Sequence, residues 1–233
     1  MKKTTLCLMV LVGAVLVACA GVTYADIVNP SFETPVLTDT ASGFFEKYAD
    51  KETKYGWTQD GGDGVDTFSY IGLPGTYLSQ VATPPDCDNV LVFRRSGGVA
   101  VQQSQTLAPL AAGDYTVSGY ISGLTGLDCS EYIMMVYDVT SSTWLGGVSD
   151  NATWISNYGL VEGASAAAGS WTKVSCNVAA PAGDTLMVVM APVTDGFIAF
   201  DNLSMAPVPE PSSIVLFTMA GMGLLAYAWR KRK

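Results

Sequence analysis

Carboxylates, aromatic rings and a few thiols are the side chains from which a chemically active site could be built, because the 233-residue chain contains no histidine. That absence removes Ser-His-Asp and Cys-His nucleophilic chemistry and every imidazole metal site. Paired carboxylates can still work as acid and base on a glycosidic bond, provided that two of them face each other across a cleft. The densest acidic run is Asp60-Gly61-Gly62-Asp63-Gly64-Val65-Asp66. Its alternation looks like a cation loop, but the twelve-residue spacing ending in a bidentate Glu is missing, and a solvated loop is the simpler expectation. Exposed rings with polar neighbours form platforms for sugar rings. Trp57, Tyr70, Tyr77, Trp144, Trp154 and Tyr158 all fall in loop-like contexts, although Trp57 and Trp171 equally suit a core.

Charge narrows the partners. Six of the 12 basic residues lie at the two ends, as Lys2, Lys3, Arg230, Lys231, Arg232 and Lys233, and of the 21 acids only Glu210 does. The stretch from Asp26 to Pro209 therefore holds 6 basic and 20 acidic side chains, a net charge of −14. Such a body repels phosphate backbones, so nucleic acid is not an expected partner.

Both ends read as export signals. Residues 1–25 combine the charged Lys2 and Lys3, an apolar run over residues 6–19, and Thr23-Tyr24-Ala25, which suits cleavage before Asp26. A competing reading stays open: Leu16-Val17-Ala18-Cys19 fits the lipobox of lipoproteins, which would make Cys19 the lipid-bearing first residue. At the other end, Val208-Pro209-Glu210-Pro211 is followed by Ser212 and Ser213, an apolar run over residues 214–229, and Arg230-Lys231-Arg232-Lys233. These predict a membrane helix over about residues 212–229 and a basic tail over 230–233. The apolar run gives roughly 24 Å of helix against a hydrocarbon core of about 30 Å, a gap that flanking serines and snorkelling basic side chains can close. The basic cluster stays cytoplasmic, which puts the body across an inner membrane.

Residues 207–233 resemble the PEP-CTERM sorting signal of Gram-negative bacteria, with all three of its parts in order. The resemblance implies that an exosortase-type sorting protease reads Pro209, Glu210 and Pro211 and passes the protein to the cell surface or extracellular matrix. Beyond the membrane one disulfide is permitted among the three cysteines left after cleavage at Ala25. Cys176 alternates with Val174 and Val178 as a buried residue would, and Cys87–Cys129 is the expected bridge.

The elements between the ends are strands. Residues 89–95, 99–107, 114–122, 131–139, 171–179, 185–192 and 197–205 alternate or run apolar between Gly, Pro, Asp and Ser clusters. Residues 131–139 are apolar on both sides, as in a buried central strand. The pattern predicts an all-β, antiparallel sandwich of jelly-roll type over residues 26–206. Residues 140–169 are expected to form a long loop with one or two edge strands.

Asn29-Pro30-Ser31-Phe32-Glu33 at the start, Gly56-Trp57, and Phe200-Asp201-Asn202 in the last strand resemble galactose-binding-like jelly rolls, which include carbohydrate-binding modules. The resemblance implies neighbouring first and last strands, with a structural calcium between Glu33 and Asp201, both hard oxygen ligands. It also implies a glycan-binding or structural module with extracellular polysaccharide as partner, not an enzyme. The alternative expectation is a carboxylate-dependent polysaccharide hydrolase.

Overall fold

The computed structural model describes residues 27–28, 30–32, 45–62, 66–72, 85, 89–208, 220–221, 224 and 227–231. Among them, two sheets face each other. Numbered in chain order, the first sheet holds β1 (Phe45–Lys47), β4 (Phe68–Gly72), β5 (Val90–Arg95), β13 (Gly196–Pro207), β7 (Gly113–Ser122) and β11 (Thr172–Ala180), side by side in that order. The second holds β10 (Val161–Glu162), β9 (Thr143–Ser149), β8 (Tyr132–Asp138), β12 (Leu186–Pro192), β6 (Val101–Thr106), β3 (Trp57–Gly61) and β2 (Thr53–Lys54). The chain changes sheet at most connections, giving a jelly-roll-like path. Neighbouring strands are antiparallel, save for β10, which runs parallel to β9.

The period of two explains most of these strands. On β11, Val174, Cys176, Val178 and Ala180 point inward while Lys173, Ser175 and Asn177 face water. Facing side chains of both sheets build one core, with Phe200 edge-on to Phe93 at 5.7 Å and to Tyr132 at 6.1 Å. Strand β8 is apolar on both faces for a reason specific to this chain. Tyr132, Met134 and Val136 enter the core, whereas Ile133 and Met135 lie beneath a short helix, α1 (Ala152–Tyr158).

That helix is the main departure from the sequence reading, which gave residues 140–169 to a loop with edge strands. Strands β9 and β10 do lie at that edge, and α1 sits between them in sequence. Asn151 caps its start by accepting the Trp154 N–H at 3.0 Å, and Gly159 ends it in the left-handed region at φ 64°.

The expected neighbourhood of first segment and last strand is present. Leu203 N–H donates to Pro30 O at 2.9 Å, and Asn89 Nδ2 to Phe32 O at 3.1 Å. Gln105 pairs with both backbone groups of Val28, at 2.7 and 2.9 Å. Strand β13 makes room for this segment with a bulge between Asp201 and Ser204, where Asn202 takes φ 47°, a conformation that asparagine tolerates.

Candidate functional site

Trp144, Trp154 and Tyr158 are brought together on the outer face of the second sheet. The β8–β9 hairpin places Trp144 opposite Tyr137, just past a register shift that follows Val136. Their rings lie 4.7 Å apart. On α1, Trp154 and Tyr158 are four residues apart and share a face, stacked at 4.7 Å and 23°. Trp154 is half-buried, packed with Ile155 over Ile133, Met135 and Leu160, and so anchors the patch to the sheet. Trp144 and Tyr158 remain 37% and 42% exposed. Their rings meet edge to face, 6.3 Å apart at 76°, in a shallow open notch with no gap between them. The exposed residues alongside are uncharged: Thr140, Ser141, Ser142 and Thr143 in the hairpin, Thr153, Ser156 and Asn157 on the helix. Ring faces with a neutral polar rim can stack on the C–H face of a sugar and hydrogen-bond its hydroxyls. Tyr137 was not a sequence candidate; only its pairing with Trp144 in the hairpin brings it in.

The carboxylates disperse. Asp60 pairs with Lys51, while Asp66 pairs with Arg94 at 3.1 Å, so the described ends of the acidic run are neutralised separately. One carboxyl pair does form, between Asp138 at the end of β8 and Asp184 in the β11–β12 turn. Asp138 is buried and accepts the Ser141 hydroxyl at 2.6 Å and the N–H groups of Thr140 and Ser141 at 2.8 and 3.2 Å. These bonds, the Ser141 hydroxyl foremost, hold it below the usual carboxylate range. Asp184 is pushed up, first by desolvation and then by its hydrogen bond to Asp138 and that group's charge. The two are in direct hydrogen-bond contact, far closer than the roughly 5–9.5 Å that glycoside hydrolysis requires.

This pair has a pH signature. Because its folded pKa is raised, Asp184 contributes stability in full below its unfolded value of about 4, and loses it as pH rises through the folded value. Asn mimics the protonated carboxyl. Asp184→Asn is therefore expected to match wild type in thermal unfolding at acid pH and to become the more stable protein as pH rises past the ordinary carboxylate range. A constant gap at all pH would contradict this.

One sequence expectation is corrected. Trp57 is fully buried and packs against Phe32 at 5.5 Å, so it offers no face to a ligand. Cys129 is an exposed free thiol, and Cys87, its expected partner, lies outside the described residues. The Cys129 sulfur rests over Gly123, where an added Cβ would clash with it, and the thiol faces Leu127 O of its own loop at 4.0 Å. Cys176 is buried, and burial pushes its thiol up to about 11, leaving little thiolate to react.

Asp201 is fully buried, with Oδ1 accepting the Asn202 N–H at 2.7 Å. Tyr70 lies on β4 between Lys47 and Val92. Its side chain lies outside the described residues, as do Glu33, Tyr77, Cys87, Pro209, Glu210, Pro211, Arg232 and Lys233. Among the described residues, no group of three or more acidic or thiol side chains could hold a metal ion. Those from Ala220 to Arg230 are helical, Lys231 follows as a turn, and no described helix is long and apolar enough to cross a membrane.

Residues 207–233 match the PEP-CTERM protein-sorting motif. No curated protein matches the chain in sequence. Among solved structures, the chain is similar to the enzymatically active domain of tailspike protein 4 of bacteriophage CBA120, at 10% identity and TM-score 0.48, over 79% of this chain and 22% of that one. It thus spans about a fifth of that protein's length. It is also similar to TmCBM61, solved with β-1,4-galactotriose, at 14% identity and TM-score 0.46, over 80% of this chain and 100% of that one. The CBM22-1 xylan-binding domain of Paenibacillus barcinonensis Xyn10C is similar at 14% identity and TM-score 0.44, over 71% and 96%. The chain is a two-sheet β-sandwich ending in a PEP-CTERM protein-sorting motif, the signal of an exported protein that an exosortase processes at the membrane.

Proposed function

We propose that this is a non-catalytic surface or extracellular-matrix protein whose sandwich holds a neutral glycan against the exposed ring faces at the notch where Trp144 and Tyr158 meet. The observation that carries the reading is the convergence of these rings, with Trp154 and Tyr137 behind them, on one exposed and uncharged patch. A body with a net charge of −14, with no basic residue in the β8–β9 hairpin or α1, repels uronate or sulfated chains, which favours uncharged sugars. Rings 76° apart cannot both lie flat on one crystalline face, so a single sugar unit or a chain end fits better than a packed fibre. Binding of the mature protein, purified from its native host, to neutral soluble, acidic and insoluble polysaccharides tests this. Saturable binding to the neutral soluble class is expected. No binding to any class would remove the glycan and leave a structural role.

Export through residues 1–25 belongs to the same reading, with cleavage before Asp26 or lipidation at Cys19. Palmitate labelling that disappears in Cys19→Ala would decide for the lipid. A structural calcium shared by Glu33 and Asp201 is also part of this reading, supported by the burial of Asp201 close to the Pro30–Leu203 contact. A chelator is expected to lower the Tm of the wild type and to leave Asp201→Asn unmoved. Equal shifts in both proteins would remove the ion from the account.

A further inference from the structure

The sandwich and the sorting signal meet without a linker. Strand β13 stays paired with β7 to its end, Ala206 opposite Thr116 and Pro207 opposite Tyr115, and Val208 N–H still donates to Asp114 O at 2.8 Å. Pro209, the first residue of the tripeptide, comes next. Only residues 209–213 separate this last hydrogen bond from the apolar run that begins at Ile214. Fully extended, five residues reach about 17–18 Å, and the headgroup layer takes up about 5–7 Å of that. A membrane protease therefore has little strand to grip that is not already in the fold.

Proline spacing sharpens the conflict. Positions 207, 209 and 211 are all proline, and in an extended chain alternate residues share an edge. One edge of residues 207–211 therefore has no N–H donor at all. A protease that holds these residues extended would find two donors on the other edge, at Val208 and Glu210, and Val208 N–H already points at Asp114. An enzyme that reads an extended substrate by strand pairing must use this donor-bearing edge. The folded body withholds half of its donors.

We propose that the end of β13 is shared between the sandwich and the sorting protease, so that Val208 must leave Asp114 before the strand can be read and processed. This rests on the reading of residues 207–233 as a signal for such a protease. Fraying of one terminal register, rather than unfolding of the body, is the required motion.

Pulse–chase of the full-length precursor in its native host tests the proposal with two insertions. Gly-Ser-Gly-Ser placed between Val208 and Pro209 supplies free donors upstream of the tripeptide without touching β13. The same insert between Ser213 and Ile214 only moves the body away from the membrane. The first is expected to be processed about fivefold faster than wild type, the size of one strand hydrogen bond that no longer has to open, and the second at the wild-type rate. Equal acceleration by both would show that crowding against the bilayer is limiting, and no acceleration by either would show that the body does not limit processing; each overturns the proposal. A precursor with Pro209→Ala, Glu210→Ala and Pro211→Ala should stay uncleaved with or without the inserts. If it is cleaved like wild type, the sorting reading fails, and the proposal with it.

Discussion

Trp57→Ala is expected to destabilise the mature protein by about 3–5 kcal/mol in urea or thermal unfolding, the range for deleting a large buried ring. The site has little means of collapsing. The indole is fully buried on β3 and packs against Phe32, itself fully buried and held at φ 57°. Phe32 O accepts from Asn89, and Pro30 O from Leu203, so the ring supports the closure of the first segment onto β13. Against a total stability of about 5–15 kcal/mol this is a large share. Glycan affinity per folded molecule should not change. A cost below about 1 kcal/mol, or lost affinity at unchanged stability, would return Trp57 to the binding surface and overturn the packing described here.

Trp144→Ala and Tyr158→Ala should show the opposite profile. Each removes one wall of the notch, and each is expected to lower affinity for a neutral polysaccharide about tenfold or more, as titration calorimetry would show. Both rings are more than a third exposed, so Tm should move little. Trp154→Ala should lose affinity and stability together, because that ring packs on Met135 and Leu160 while also stacking on Tyr158. If the Trp144 and Tyr158 variants bind as wild type does, the notch is not the site.

What the sequence made legible divides along physical lines. The seven expected strands are β5, β6, β7, β8, β11, β12 and β13, announced by apolar residues that alternate or run together, and for β6 by Val99, Val101 and Leu107 in and around it. Strand β3 does not, although Gln59 in it is fully buried. Gln59 Oε1 accepts the Ser69 N–H at 3.0 Å and its hydroxyl at 2.7 Å, and Gln103 Nε2 donates to that hydroxyl at 2.8 Å. A buried polar network replaces the greasy pattern there, and hydrophobic periodicity cannot see it. Helix α1 escaped because seven residues are too few for a 3.6 period to register; its Asn151 and Gly159 caps were the available signal.

The site was legible as a set of residue types and not as a place. Trp57 and Trp144 look alike in sequence, each beside small and polar residues, yet one is sealed in the core and the other lines a notch. The difference depends on the β8–β9 hairpin and on α1, the segment whose structure the sequence concealed. The sorting motif of residues 207–233 was legible, since charge, apolar length and proline positions are one-dimensional signals. Its consequence for β13 was not, because the pairing of Val208 with Asp114 exists only in the folded sheet.

The intact mass of the protein recovered from the surface or matrix of its native host tests the central claim most directly. Export with exosortase processing predicts a species that has lost the apolar residues 214–229 and the four basic residues after them, and that begins at Asp26 or at a lipidated Cys19. Recovery of the untrimmed 24.5 kDa chain from the cytosol, as the sole species, would contradict it.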